Sequence, residues 1–206
     1  MSEELAGRTI ELPSGELRIL QPSEAADLPD AGPVEWAPVV PYWAVLWRSG
    51  VALARELEGL PLAGRRVVEL GCGLAVPSIA AARAGASVLA TDESGEALAL
   101  AARNAAANGV RIETAHVDWA EPGALIERAS FDLALAADVL YERGAVGVLL
   151  SLLPRLTPEA LVADPGRPAA EAFVEQAARR WRIETRARGI VRIHRLWTGS
   201  LTGPER

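Results

Sequence analysis

The 206 residues contain no lysine: all 21 basic residues are arginine. The chain therefore cannot be modified on a lysine of its own. It has a single cysteine, Cys72, which excludes an internal disulfide, and two isolated histidines, His116 and His194. One thiol and two separated imidazoles make no ligand cluster, so no metal site is expected. No apolar run approaches the roughly 18 residues that a bilayer span requires. The opening MSEELAG has neither a basic n-region nor an apolar h-region. Together these features favour a soluble, cytoplasmic protein with no membrane partner. The net charge of -6 argues against a generally basic nucleic-acid surface and suits a basic partner better.

What is present is apolar and alternating. Half of the residues are hydrophobic, and this length supports one sizeable core with small appendages. RTIELPSGELRIL has two short alternating runs around Pro13, Ser14 and Gly15, the pattern of a β-hairpin, and QPSEAADLPDAGPVEWAP follows as a proline-rich connector. Residues 1–40 read as this hairpin and connector, and residues 41–206 as the main domain. The stretch PYWAVLWRSGVALARELEG from Pro41 reads as a helix closed by Gly59. Beyond it the chain alternates strand and helix, ending in the pair WRIETRAR and IVRIHRLW joined at Gly189. This order predicts an α/β fold, a mostly parallel sheet with helices on both faces.

The chemistry begins in RVVELGCGLAVPSIA, a valine-rich strand, a glycine turn and a helix start, which aims free N–H groups at a ligand. A dinucleotide site needs a small residue three positions after the second glycine, and Val76 stands there. The small residue is instead Ala75, giving Glu69-x-Gly71-x-Gly73-x-Ala75. This spacing resembles the first motif of the class I S-adenosylmethionine-dependent methyltransferases, with alanine in place of the usual third glycine. Bare backbone at Gly71 and Gly73 admits a bulky cofactor, and an anion at Glu69 suits the ammonium of its methionine part. Asp92 ends the next strand about twenty residues on, where a carboxylate accepts both hydroxyls of a ribose. Its other reading is a helix cap. Asp118 can accept from an adenine amino group beside the indole of Trp119. Asp138 and Tyr141, in DVLYE, fall at the carboxyl edge of the sheet, where such folds bind ligands. Their other reading is a cap and a packed ring.

Taken with DPGRP at 164–168, these segments resemble the seven-strand protein lysine methyltransferases, in particular the branch acting on the electron transfer flavoprotein β subunit. The resemblance implies a Rossmann-like seven-stranded sheet with an antiparallel last strand. It further implies that Trp47 and Ala137 contact the cofactor, and that Asp138 and Tyr141 border a channel for the methyl acceptor. Methyl transfer needs aligned reactants and an unprotonated amine. A lysine amine, ordinarily with a pKa of about 10.4, must first lose its proton. Desolvation against Tyr42, Trp43 and Trp47 lowers that value, and Asp138 is the expected proton acceptor or ammonium anchor. The acceptor is then a protein with an accessible lysine. A small amine of the nicotinamide type is the alternative, and a cofactor-binding module without catalysis a further one. A base-flipping amine methyltransferase would carry a paired-proline motif, which ADVLY lacks, so no nucleic-acid partner is expected. Arg167 is left without a role.

Overall fold

A computed structural model of the chain describes residues 4–26, 41–141 and 143–199. Strands β1 (Leu5–Leu12) and β2 (Gly15–Pro22) form the expected antiparallel hairpin, followed by the single turn α1 (Ser23–Ala26). Most of the expected connector, residues 27–40, lies outside the described residues. After a 3-10 turn at Tyr42–Ala44 come α2 (Arg48–Leu57), β3 (Arg66–Leu70), α3 (Val76–Arg83), β4 (Ser87–Asp92), α4 (Gly95–Ala107) and β5 (Glu113–His116). The chain continues through α5 (Gly123–Glu127), β6 (Leu133–Ala137), α6 (Arg143–Leu156), β7 (Glu159–Asp164), α7 (Pro168–Ala177), β8 (Arg182–Arg188) and β9 (Val191–Trp197).

The main sheet has seven strands in the order β5-β4-β3-β6-β7-β9-β8. All neighbours are parallel except β9, which runs against both β7 and β8. Alternate residues of each strand enter opposite cores, as the period of two requires. Val67, Leu133 and Leu161 pack with Leu53, Ile79 and Leu100 of α2, α3 and α4. Val68, Ala134 and Val162 pack with Leu125, Leu149 and Phe173 of α5, α6 and α7. Strand order reverses between β3 and β6, and in open α/β sheets the carboxyl ends of such a pair open a crevice.

The hairpin shares the first of these cores through Ile10, Leu12, Leu17 and Ile19. Its β2 edge is capped by two carboxamides one turn apart, Asn104 in α4 and Asn108 at its C-cap. Asn104 accepts from the Leu20 N–H at 2.7 Å and donates to the Leu20 carbonyl at 3.1 Å; Asn108 repeats the pair on Arg18 at 2.9 and 2.7 Å. Two side chains thus stand in for a neighbouring strand and close an edge that otherwise invites pairing.

One expectation fails here. The helix predicted from Pro41 starts at Arg48, because Val45–Trp47 is extended and Trp47 stands at the N-cap with φ -75° and ψ 139°. Aromatic and β-branched residues are weak helix formers, and Ala44 and Val45 gain more by burial as a loop against Ala25. Trp43 and Trp47 consequently do not share a helix face. The segment instead lies across the carboxyl edge of β3.

Candidate functional site

The crevice between β3 and β6 opens into a cavity of about 560 Å³, within the range of small-ligand sites. Its floor is the turn after β3. Gly71 and Gly73 have φ of +67° and +48°, and Ala75 takes the same left-handed conformation at φ 60°. A Cβ on Gly71 would lie 3.0 Å from Val139 Cγ1, and one on Gly73 would lie 2.9 Å from the Trp43 carbonyl oxygen. The glycines are therefore set by close approach as well as by backbone conformation.

Glu69 sits beneath this turn, 1% exposed, and its Oε2 accepts from both the N–H and the hydroxyl of Ser78 in α3. Burial outweighs those hydrogen bonds and pushes its carboxyl up to about 8. The anion expected at Glu69 is thus disfavoured up to that pH by burial, and the side chain ties α3 to β3. Its folded value stands above the ordinary 4.5, so the native state holds a proton that the unfolded chain releases. The contribution to stability falls as pH rises from 4.5 to about 8. Glu69→Gln keeps an oxygen for Ser78 and is expected to flatten this slope. Its melting temperature should match wild type near pH 4.5 and exceed it by several degrees at pH 8.5, in paired thermal melts. A gap that stays constant with pH would contradict the assignment.

Asp92 ends β4 and faces the same cavity. Its Oδ2 accepts from the Gly73 N–H at 2.9 Å and its Oδ1 from the Ser94 N–H at 3.0 Å. The α4 cap is Ser94, whose hydroxyl accepts from the Ala97 N–H, so Asp92 is not spent as a cap. A carboxylate has about four acceptor positions, so each oxygen keeps one for a ligand. Asp118 and Trp119 follow β5 and line the cavity; Asp118 is exposed, with Oδ1 taking the Ala120 N–H, and Trp119 leans on the second core. Ala137 ends β6 and also lines it.

The far end of the cavity is polar and aromatic. Asp138 has φ 58° and is 9% exposed. Its Oδ1 accepts from Arg167 Nε at 3.0 Å and Arg167 Nη2 at 2.7 Å, and its Oδ2 accepts from the Ser49 hydroxyl at 3.0 Å. Asp138 is therefore no helix cap. Tyr141 stacks on Tyr42 at 5.5 Å between centroids, with Trp47 6.4 Å beyond Tyr42. The Trp47 indole N–H donates to the Tyr42 carbonyl at 2.9 Å, which fixes the 42–47 segment over the cavity. All the residues named from sequence line this one cavity: Trp47, Glu69, Gly71, Gly73, Asp92, Asp118, Trp119, Ala137, Asp138 and Tyr141. Sequence reading missed the partners Ser49 and Arg167. Among the described residues no group of three His, Cys, Asp or Glu side chains is arranged to hold a metal, and no helix is long and apolar enough to cross a membrane.

Residues 43–175, more than half of the chain, match the lysine methyltransferase family. The chain belongs to that family. It is 33% identical over 146 residues to the electron transfer flavoprotein beta subunit lysine methyltransferase of Danio rerio, covering 68% of this chain and 55% of that protein. With the Homo sapiens enzyme of the same name it shares 31% over 171 residues, covering 76% and 60%. The chain thus spans just over half the length of these curated relatives. The 16S rRNA methyltransferase of T. thermophilus superposes with a TM-score of 0.64 at 20% identity, over 95% of this chain and 51% of that one. At that identity the likeness speaks for fold alone. The fold is that of the class I methyltransferases, whose cofactor is S-adenosylmethionine. The lysine methyltransferase fold here fits that cofactor: two glycines clear the backbone, Asp92 keeps two acceptor positions for a vicinal diol, and the cavity is large enough.

Proposed function

We propose that the protein transfers a methyl group from S-adenosylmethionine to the side-chain amine of a lysine on another protein. The observation that carries this reading is the union in one cavity of a glycine-cleared cofactor floor with an oriented carboxylate, Asp138, beneath a stacked tyrosine pair. The cofactor supplies an electrophilic methyl on a sulfonium. The chain supplies position. Gly71 and Gly73 give backbone room, Asp92 takes the ribose hydroxyls, Asp118 and Trp119 take the adenine, and Trp47 and Ala137 flank the adenosyl group. Glu69 steadies the turn from below. Tyr42 and Tyr141 strip water from the aliphatic stem of the acceptor and shield its amine.

Asp138 is better suited to orient an amine than to receive its proton. Arg167 and Ser49 already fill three of its acceptor positions, which leaves one to receive an N–H of the acceptor. The net charge of -6 favours approach of a basic segment. We assign the reaction to the cytoplasm, where the buried thiol of Cys72 stays reduced.

The test incubates the enzyme with methyl-tritiated cofactor and recombinant electron transfer flavoprotein β subunit, alongside a whole-cell protein extract. Label is expected in one or a few discrete proteins and, after acid hydrolysis, in methyllysine. None is expected on lysine of the enzyme itself, which has no such residue. Label confined to small molecules would replace this reading with a small-amine methyltransferase. Tight cofactor binding with no labelled acceptor would replace it with a binding module.

A further inference from the structure

Arg167 is the cation in the lining of this cavity, the motifs leave it without a task, and it is held in place by the fold. The Asp164 carboxylate accepts the Gly166 and Arg167 N–H groups at 2.6 Å each, and Pro168 opens α7 directly behind. Gly166, at φ 90°, fits the turn against the Arg192 side chain. The guanidinium then reaches back to Asp138, with its side chain 22% exposed and that of Asp138 only 5%. The contact joins the carboxyl ends of β6 and β7, adjacent strands of the sheet.

A methyl acceptor must bring a nitrogen lone pair. The N–CH3 bond forms from that pair, the S–CH3 bond breaks with its electrons to sulfur, and the nitrogen loses one proton to solvent. An ammonium has no such pair. A lone carboxylate at the mouth would hold an amine in its protonated, unreactive form, since a neighbouring negative charge favours the cation. In this protein the carboxylate arrives already neutralised. Three of the four acceptor positions of Asp138 are filled, and the one left on Oδ2 can receive a single N–H from the acceptor.

We propose that Arg167 is a positioning residue that lets Asp138 orient the acceptor amine while disfavouring its ammonium form. The assignment rests on the amine-methylation reading above. The other charged and titratable groups near this end do not supply the same cation. Asp164 lies behind the loop with Oδ2 4.0 Å from Arg167 Nε and its carboxyl pushed up chiefly by burial, and Tyr42 and Tyr141 form the rim. Glu69, Cys72, Asp92, Glu93 and Asp118 line the cofactor side of the cavity. Arg48 is exposed at the start of α2, beside Ser49. The Arg167 guanidinium meets the Asp138 carboxylate through two N–H donors, Nε at 3.0 Å and Nη2 at 2.7 Å.

The test compares wild type with Arg167→Gln and Arg167→Lys, using two ligands of known structure. S-adenosylhomocysteine reports the cofactor site alone. Sinefungin, in which a carbon bearing an amine replaces the sulfonium, places a cation toward the acceptor end. At pH 7, Arg167→Gln should bind S-adenosylhomocysteine within about threefold of wild type yet shift the sinefungin preference about tenfold toward tighter binding, the size of a one-unit shift from a neighbouring charge. The acid limb of the rate-versus-pH profile for a labelled lysine protein should move up by about one unit, while Arg167→Lys keeps both near wild type. An unchanged preference or an unmoved limb in Arg167→Gln overturns the assignment. If that variant melts, Asp138→Asn carries the test with the opposite sign: sinefungin preference falls, and no fall overturns it. A shifted preference with no amine labelled would sink the lysine reading and this assignment's catalytic sense together. A fixed preference with lysine labelled would sink the Arg167 assignment alone.

Discussion

Asp138→Ala is expected to slow methyl transfer by about 100-fold or more, the loss that a misplaced reactant produces, while S-adenosylhomocysteine affinity stays within about threefold. On the proposed reading the carboxylate fixes the acceptor nitrogen, and its partners are Arg167 and Ser49 rather than the glycine floor, so binding and turnover should separate. Stability should fall too. The variant leaves Arg167 and Ser49 without their acceptor, a cost of about 1–3 kcal/mol after allowing for the partial exposure of the guanidinium. It also puts alanine in a left-handed conformation that aspartate and asparagine adopt more readily. Asp138→Asn avoids the second penalty and part of the first, because its oxygen can face Arg167 and its amide the Ser49 hydroxyl. It should melt near wild type and still lose most turnover. Tyr141→Phe keeps the ring that stacks on Tyr42 and should be milder than either. Initial rates with saturating cofactor, with a melt for each variant, decide this. An Asp138→Asn enzyme as fast as wild type would remove Asp138 from the acceptor machinery.

The order of elements and the cofactor side of the cavity were legible in the sequence for a local reason. Gly71, Gly73, Asp92 and Asp118 each sit at the end of a strand or in the turn after it, so spacing along the chain fixes where they emerge. Asp92 reads from sequence as either a ribose acceptor or a helix cap, and the Ser94 hydroxyl on the Ala97 N–H separates the two. The acceptor side was less legible because it is made of distant partners. Asp138 is 89 residues from Ser49 and 29 from Arg167; the adjacency of β6 and β7 brings Arg167 to it, and the packing of α2 on the sheet brings Ser49. Periodicity also misled at Tyr42 to Trp47. Apolar residues there follow a helical spacing, yet their burial comes from draping over β3, held by an indole N–H on a carbonyl that no pattern announces. Glu69 shows the same limit in electrostatics. An acid beside glycines reads as an anion, whereas full burial outweighs the hydrogen bonds from Ser78 and favours the protonated form.

That draped segment makes Gly73, among the described glycines, the one with the tightest space for a side chain. Gly73→Ala should weaken S-adenosylmethionine binding by about 30-fold or more, equivalent to about 2 kcal/mol. A left-handed backbone costs alanine about 1–2 kcal/mol, and the structure already tolerates that at Ala75, with φ 60° and ψ 32°. Conformation alone is therefore not decisive. What distinguishes Gly73 is its surroundings, since the added Cβ would lie 2.9 Å from the Trp43 carbonyl oxygen, a backbone atom that cannot rotate away. Either the 42–47 segment lifts or the glycine turn sinks. Lifting disturbs Trp47 and the Tyr42–Tyr141 stack; sinking displaces the Gly73 N–H from Asp92 and with it the carboxylate meant for the ribose. Both movements reshape the cavity, so affinity should drop whichever occurs, and the melting temperature should drop with it. Ala75→Gly is the control: it relieves the strained conformation, loosens the unfolded chain by a similar amount, and should leave binding within about threefold and stability within about 1 kcal/mol. Calorimetry on both variants reads the difference directly. If Gly73→Ala binds as tightly as Ala75→Gly, the turn after β3 is not the floor on which the cofactor rests.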